Sequence, residues 1–331
     1  MPIAEQIANE LFLAGTEIPF HDLALKVYRH QYQTVEVYRR YADAIGRTPD
    51  KVLTEEEIPF LPVSFFKTHD IISEGKIPEI IFSSSGTTGQ VTSRHRVADV
   101  KLYEQSFVRG FKSFYGEPSQ YCILALLPSY LERGGSSLVY MAEHLIRQSA
   151  HPDSGFYLDQ YDDLHRNLKE LRERGQKTIL LGVTYALLDL AEQFPVHFPE
   201  LLIMETGGMK GRRKEMIREE LHAILGKAFG VPVVHSEYGM TELLSQGYST
   251  GQGIYSTPPW MKILIRDIND PFSWRNDGKT GGVSIIDLAN VYSCSFIATQ
   301  DLGRMHPDGS FEVLGRFDDA ELRGCNLMIG G

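Results

Sequence analysis

Three polar blocks in this chain carry residue types that could handle a nucleotide. The first, Ser83-Ser84-Ser85-Gly86-Thr87-Thr88-Gly89, directly follows the apolar run Glu79-Ile80-Ile81-Phe82. Glycines let backbone N–H groups come close to an anion, hydroxyls add donors, and Arg94, His95 and Arg96 follow to balance charge. A plain polar loop has the same composition, but the strand-like entry and the trailing cations favour a cradle for successive phosphates. The second block, Ser236-Glu237-Tyr238-Gly239-Met240-Thr241-Glu242, offers an aromatic face, a hydroxyl and a carboxylate. Those suit a purine, a phosphate oxygen and Mg2+. Read structurally, the same block is a strand-to-helix connection with Thr241 as the cap. The third block runs through Thr299-Gln300-Asp301-Leu302-Gly303-Arg304 to Leu314-Gly315-Arg316-Phe317-Asp318-Asp319. It reads either as β-turns or as a site where Asp301 accepts hydrogen bonds from both ribose hydroxyls.

Other signatures fail on their context. Gly278-Lys279-Thr280 ends like a Walker loop, but Ser273 stands where its first glycine is required. Gly251-Gln252-Gly253 lacks the third glycine of a dinucleotide fingerprint. Gly247-Tyr248-Ser249-Thr250-Gly251 matches the hydrolase elbow GxSxG, yet polar Ser245-Gln246 precede it and no helix pattern follows. No HExxH occurs, and the 11 histidines show no metal-ligand spacing.

The elements that must position these blocks follow from apolar periodicity. Helical spacing covers 3–14 and 21–45, followed by a stretch punctuated by Pro49, Pro59 and Pro62. Short Ile/Leu/Val runs at 80–82, 121–127, 178–183, 201–204 and 231–234 then alternate with helical patterns at 98–115, 136–150, 160–174, 184–193 and 212–228. This alternation predicts α/β layers around a mainly parallel sheet, which binds ligands in loops at the carboxyl ends of its strands. After residue 260 the segments shorten into a smaller β-rich part. The expected organisation is a helical N-terminal region over 1–75 and an α/β core over 76–331, in one compact unit.

The 331 residues, 42% apolar and 23% charged, exclude a disordered chain. A net charge of −10 argues against a nucleic-acid partner. The 3 cysteines, Cys122, Cys294 and Cys325, are too scattered for a disulfide framework or a Cys-rich zinc site. Cys122 and Cys294 sit in apolar runs and read as core. No apolar run approaches the ~20 residues of a membrane span, and the first residues lack a signal-peptide pattern, so a soluble cytoplasmic protein is expected.

In this order and spacing, the three blocks resemble the phosphate loop, the adenine and magnesium motif, and the ribose and hinge motifs of adenylate-forming enzymes. Arg323-Gly324-Cys325-Asn326 resembles the RGxN of phenylacetate–CoA ligases. Pro62-Val63-Ser64-Phe65-Phe66-Lys67, together with a cysteine at the RGxN position near the chain end, resembles the acyl-protein synthetase (LuxE-like) family over nearly the full length. The resemblance implies the layered N-terminal-domain fold of these enzymes without their mobile C-terminal lid. It implies ATP and Mg2+ as cofactors, a fatty acid as substrate and a fatty-acid reductase as protein partner. Ser83, Ser84, Ser85, Gly86, Thr87, Thr88 and Gly89 would hold phosphates, with Arg94 in place of the family's usual lysine. Tyr238, Gly239 and Met240 would face adenine, with Gly207, Gly208 and Met209 on its other side. Thr241 and Glu242 would take a phosphate oxygen and Mg2+, Asp301 and Arg316 the ribose, and Cys325 the acyl group as a thioester. The alternatives are an acyl- or aryl-CoA ligase of the phenylacetate type and a non-catalytic scaffold subunit of a reductase complex.

Overall fold

The computed structural model describes residues 3–12, 18–84, 91–128, 134–208, 213, 216–275 and 278–316. The N-terminal periodicity forms helices Ile3–Phe12, Phe20–Thr34 and Glu36–Ala44. The pattern over 21–45 thus breaks in two: Val35 is extended, with φ −109 and ψ 96, at a β-branched Thr34-Val35 pair that favours helix poorly. Leu23, Ala24, Val27, Tyr28 and Gln31 form the buried stripe of the second helix. Tyr28 and Tyr38 pack on Phe296, the latter stacked at 6.0 Å, and so join these helices to the sheet.

The strands are β1 Leu61–Pro62, β2 Ile80–Ser83, β3 Arg94–Val97, β4 Cys122–Leu126, β5 Gly155–Tyr157, β6 Thr178–Val183 and β7 Leu202–Thr206, then β8 His235–Tyr238, β9 Gly247–Ser249, β10 Ile254–Ser256, β11 Met261–Arg266, β12 Gly281–Asp287, β13 Phe296–Met305 and β14 Phe311–Arg316. Twelve of them form one sheet in the order β11-β12-β13-β14-β10-β9-β8-β7-β6-β4-β5, with β1 paired to β13, while β2 and β3 make a separate hairpin. Helices Val100–Tyr115, Ser137–Ser149, Tyr161–Glu173, Thr184–Gln193 and Arg218–Phe229 alternate with the first half of the sheet. There, β5-β4-β6-β7-β8 pair in parallel, and every residue of β4 and β6 is buried, as expected for strands covered on both faces. No helix among the described residues is long and apolar enough to cross a membrane.

Two expectations are corrected. The sheet is mixed, not mainly parallel: from β8 onward its neighbours β9, β10, β14, β13, β12 and β11 pair antiparallel. Among the described residues no helix separates successive strands beyond β8, and β8–β9, β9–β10, β11–β12, β12–β13 and β13–β14 each turn back beside the preceding strand, while β11 starts anew at the far sheet edge. The second correction concerns 231–234, which is not a strand. Gly230 ends the preceding helix in the left-handed region with φ 70, and Pro232 has no N–H to give a ladder, so pairing starts only at His235. Glu237 and Tyr238 therefore lie on the strand itself, and a turn into β9 follows in place of the expected helix start.

Candidate functional site

Several stretches of chain, far apart in sequence, meet at a cavity of about 300 Å³ at the carboxyl ends of β7 and β8. The β2–β3 hairpin supplies Ser83 and Ser84. Its mouth is closed by Ser84 N–H donating to Ser93 O at 3.0 Å and Ser93 N–H donating to Ser84 Oγ at 2.9 Å. Gly207, in the left-handed region with φ 72, turns the chain off β7 onto the cavity rim. Gly239, Met240, Thr241 and Glu242 come from the turn after β8, and Gln300 and Arg316 from β13 and β14.

Side chains alternate across a strand, so β8 serves two environments. Tyr238 packs against Tyr255 and Phe311 at 6.0 and 5.8 Å, and its hydroxyl donates to Asp301 Oδ2 at 2.7 Å. Asp301 faces Arg316 in register across β13–β14, with Arg316 Nε 3.3 Å from Asp301 Oδ1. Burial pushes the Asp301 carboxyl up, while Tyr238 and the cations Arg316 and Arg266 pull it down. Glu237 points the other way, accepts from Thr206 Oγ1, and is pushed up to about 7 by burial.

Glu242 is buried and its carboxyl is pushed up by burial, with a Ser93 hydrogen bond and the Arg316 charge opposing. A cation beside it would favour the ionised form. Among the described residues no three His, Cys, Asp or Glu side chains cluster as a protein-only metal cage. A single carboxylate fits Mg2+, which commonly takes one or two protein oxygens and fills its shell with phosphate oxygens and water.

Of the other expected residues, Arg94 is exposed opposite Ser83 in the hairpin and does not line the cavity. Gly208 follows Gly207 but does not line it either, and Tyr238 and Asp301, hydrogen-bonded to each other, lie behind its wall rather than on it. Ser85, Gly86, Thr87, Thr88, Gly89, Met209 and Cys325 lie outside the described residues. Cys122 and Cys294 are buried, and burial raises their thiols to about 11 and about 12, so neither is a ready nucleophile.

The structure also brings in residues whose role the sequence reading missed. Lys67 lines the cavity beside Ser83 and Ser84. It arrives there because β1 pairs with β13, Val63 N–H donates to Ala298 O at 2.9 Å, and Phe66 is buried edge-on to His95 at 5.7 Å. Behind the cavity wall, His95 Nδ1 sits 2.8 Å from Thr241 O and Nε2 sits 3.0 Å from Asn290 Oδ1. Asn290 Nδ2 donates to Glu242 O at 2.8 Å, and Asp287 accepts the backbone N–H groups of Leu244 and Ser245 at 2.8 and 3.0 Å. The one available signal was a pair of polar residues, Asp287 and Asn290, inside the apolar run 283–291.

The family model described as acyl-protein synthetase, LuxE, matches residues 16–330. No curated protein matches this sequence. Among solved structures, ATP-bound MatB from Rhodopseudomonas palustris has 18% identity and a TM-score of 0.53, covering 71% of this chain and 47% of its own. An open conformation of 2-hydroxyisobutyryl-CoA ligase with 2-HIB-AMP and CoA has 14% identity and a TM-score of 0.64, covering 96% and 75%. The amide bond synthetase McbA from Marinactinospora thermotolerans has 18% identity and a TM-score of 0.51, covering 72% and 49%. The chain thus spans about half the length of MatB and McbA, and these likenesses establish the layered fold.

Proposed function

Because this chain belongs to the acyl-protein synthetase, LuxE, family, we propose that it activates a carboxylic acid with ATP and then carries the acyl group on its own cysteine. A carboxylate oxygen of the acid attacks the α-phosphorus of ATP, and the bond to the β-phosphate oxygen breaks, giving acyl-AMP and pyrophosphate. The thiolate of Cys325 then attacks the acyl carbon and expels AMP, leaving a thioester that a reductase partner consumes. The acid is a fatty acid, and the reaction belongs to the cytoplasm.

The observation that carries this reading is the convergence of Ser83, Ser84, Gly207, Thr241, Glu242 and Arg316 on one cavity from segments far apart in sequence. A carboxylate is a weak nucleophile, so catalysis must come from positioning and charge neutralisation. Ser83, Ser84, Ser85, Gly86, Thr87, Thr88 and Gly89 hold phosphates through hydroxyls and backbone N–H groups, aided by Lys67 and Arg94. Tyr238, Gly239 and Met240 face adenine, with Gly207, Gly208 and Met209 opposite. Asp301 accepts from the ribose and Arg316 steadies it. Thr241 takes a phosphate oxygen. Glu242 holds Mg2+, which when bound neutralises phosphate charge. Of the 3 cysteines, the two described are buried with raised thiols, which supports giving the acceptor role to Cys325, the cysteine at the RGxN position of the family resemblance.

The test combines ATP–pyrophosphate exchange with labelling. Radiolabelled acid, ATP and Mg2+ should leave hydroxylamine-sensitive label on the protein without added thiol. Cys325→Ser should lose that label yet keep pyrophosphate exchange. Label that appears only with CoA identifies a CoA ligase instead, and failure to bind ATP by calorimetry identifies a scaffold.

A further inference from the structure

Resting on the acid-activation reading, we propose that the alkyl chain of the acid lies in a second cavity, entered from the first through a gap in the sheet beside Gln300. On one edge of β13, β1 pairs as far as Pro62–Ala298, and β14 pairs only from Asp301–Arg316 onward. Among the described residues, Thr299 and Gln300 therefore have no strand beside them on that edge, while β12 runs along the other. A cavity of about 280 Å³ adjoins this gap, and Val63 and Gln300 line both it and the cavity given to the nucleotide.

The two cavities differ in chemistry. The first is lined mostly by polar side chains, among them Ser93, Ser136, Ser137 and Glu237, and its space goes to ATP. The second presents Phe60, Pro62, Val63, Phe272, Trp274 and Ala298. The Trp274 ring meets Phe60 edge-on at 5.2 Å, and its indole N–H donates to Glu56 O at 2.8 Å, so this aromatic wall is fixed in place. Phe272 is 48% exposed, on a loop braced by Asp267, which accepts from Asn269 N–H at 2.7 Å and pairs with Arg275 at 2.7 Å. A large ring held at a cavity mouth and left half in water gains its burial when an apolar ligand arrives. An alkyl chain suits this lining, because it has no polar group to desolvate and each methylene removed from water adds to binding. With the carboxylate held at the phosphates, the chain passes Val63 and Gln300 and ends against Trp274.

The test reads the position of the chain directly. The protein has 2 tryptophans, and Trp260, packed on Phe12, lines neither cavity. Bromine quenches tryptophan emission on contact, so dodecanoic acid is brominated either next to the carboxyl or on the terminal carbon. The terminal bromine should quench saturably and several-fold more than the other, and Trp274→Phe should abolish that quenching. In pyrophosphate exchange with unsubstituted four- to fourteen-carbon acids, kcat/KM should rise about three- to fourfold per methylene while the chain fills the cavity. Ala298→Phe should cut kcat/KM for the longest acids about tenfold or more, and leave the four-carbon acid and the KM for ATP unchanged. Should that variant not fold, Phe272→Ala, on the exposed loop, should show the same selective loss, and quenching in the wild type still decides. A chain that stays in the first cavity, against Leu138 and Met141, leaves Trp274 emission unchanged. That result, quenching that survives in Trp274→Phe, or equal losses for short and long acids overturns the inference and leaves acid activation standing. Absence of acid-dependent exchange overturns the activity reading and this inference with it.

Discussion

Individual side chains here are tuned by burial, and that tuning can be measured. Glu242→Gln keeps shape and removes charge at a buried carboxyl that is already disfavoured as an anion, so folding should be little changed. Pyrophosphate exchange should fall about 100-fold or more, since an amide is a poor Mg2+ ligand. Asp301→Ala removes the acceptor of the Tyr238 hydroxyl and the partner of Arg316, and should weaken ATP binding about 10- to 100-fold by calorimetry. Two further groups oppose each other in pH. Glu237 is raised from 4.5 to about 7, so between those values the folded chain keeps a proton that the unfolded chain has released, and stability falls as pH rises. His95 is lowered from 6.5 to about 4 by burial, so the unfolded chain takes up the proton first and stability falls as pH drops. Each contributes a slope of up to about 1.4 kcal/mol per pH unit, and over pH 4.5–6.5 the two cancel. Urea unfolding at pH 5 and pH 6.5 should therefore show Glu237→Gln gaining stability relative to wild type as pH rises, and His95→Gln losing it.

At the scale of elements, β8 is the hinge between the two halves of the sheet, parallel to β7 and antiparallel to β9. Its two-residue period sends Tyr238 toward Asp301 and Glu237 toward Thr206. The turn that follows contains Thr241 and Glu242 and lacks regular structure of its own. It is held from outside, by His95 on β3 and by Asn290 and Asp287 at the end of β12. Asn290 also donates to Cys294 O at 2.9 Å and is 1% exposed. Asn290→Ala should strand several buried polar groups, each costing about 1–3 kcal/mol, and lower the urea midpoint accordingly. In the fraction that folds, kcat for exchange should drop more than ATP affinity, because Asp301 and Arg316, proposed to hold the ribose, come from other elements. Equal losses in both would mean that Asn290 serves stability alone.

The molecule as a whole builds its site by bringing remote segments together. The N-terminal helices are part of that construction. Gln31 is fully buried, its Nε2 donating to Asn290 O, Val291 O and Ser295 Oγ at 2.9, 3.2 and 3.0 Å, and its Oε1 accepting from Ser295 N–H at 3.0 Å. It fastens the helix Phe20–Thr34 to the β12–β13 connection that carries Asn290. Gln31→Leu should cost about 3 kcal/mol by leaving those groups unpaired, and should lower exchange activity although Gln31 is remote from the cavity. Denaturant unfolding and exchange rates on the same sample check both outcomes.

The sequence by itself determined the local features. Apolar periodicity located most helices and the strands at 80–83, 122–126, 178–183 and 202–206 within a few residues, because each segment must bury one face or both. Short polar blocks of fixed composition marked the β2–β3 hairpin, the segment Tyr238–Glu242 and Asp301. What only the tertiary structure decided was where distant chain goes. Pro232 and Gly230 act through backbone geometry, so an apolar run at 231–234 gave no sign that pairing begins at His235. The antiparallel half depends on which strands close on which, a long-range matter that no local pattern encodes. His95, Asp287 and Asn290 gained their structural meaning only through partners as much as 195 residues away, as for His95 and Asn290, since burying a polar group is tolerated where a partner from elsewhere in the chain meets it.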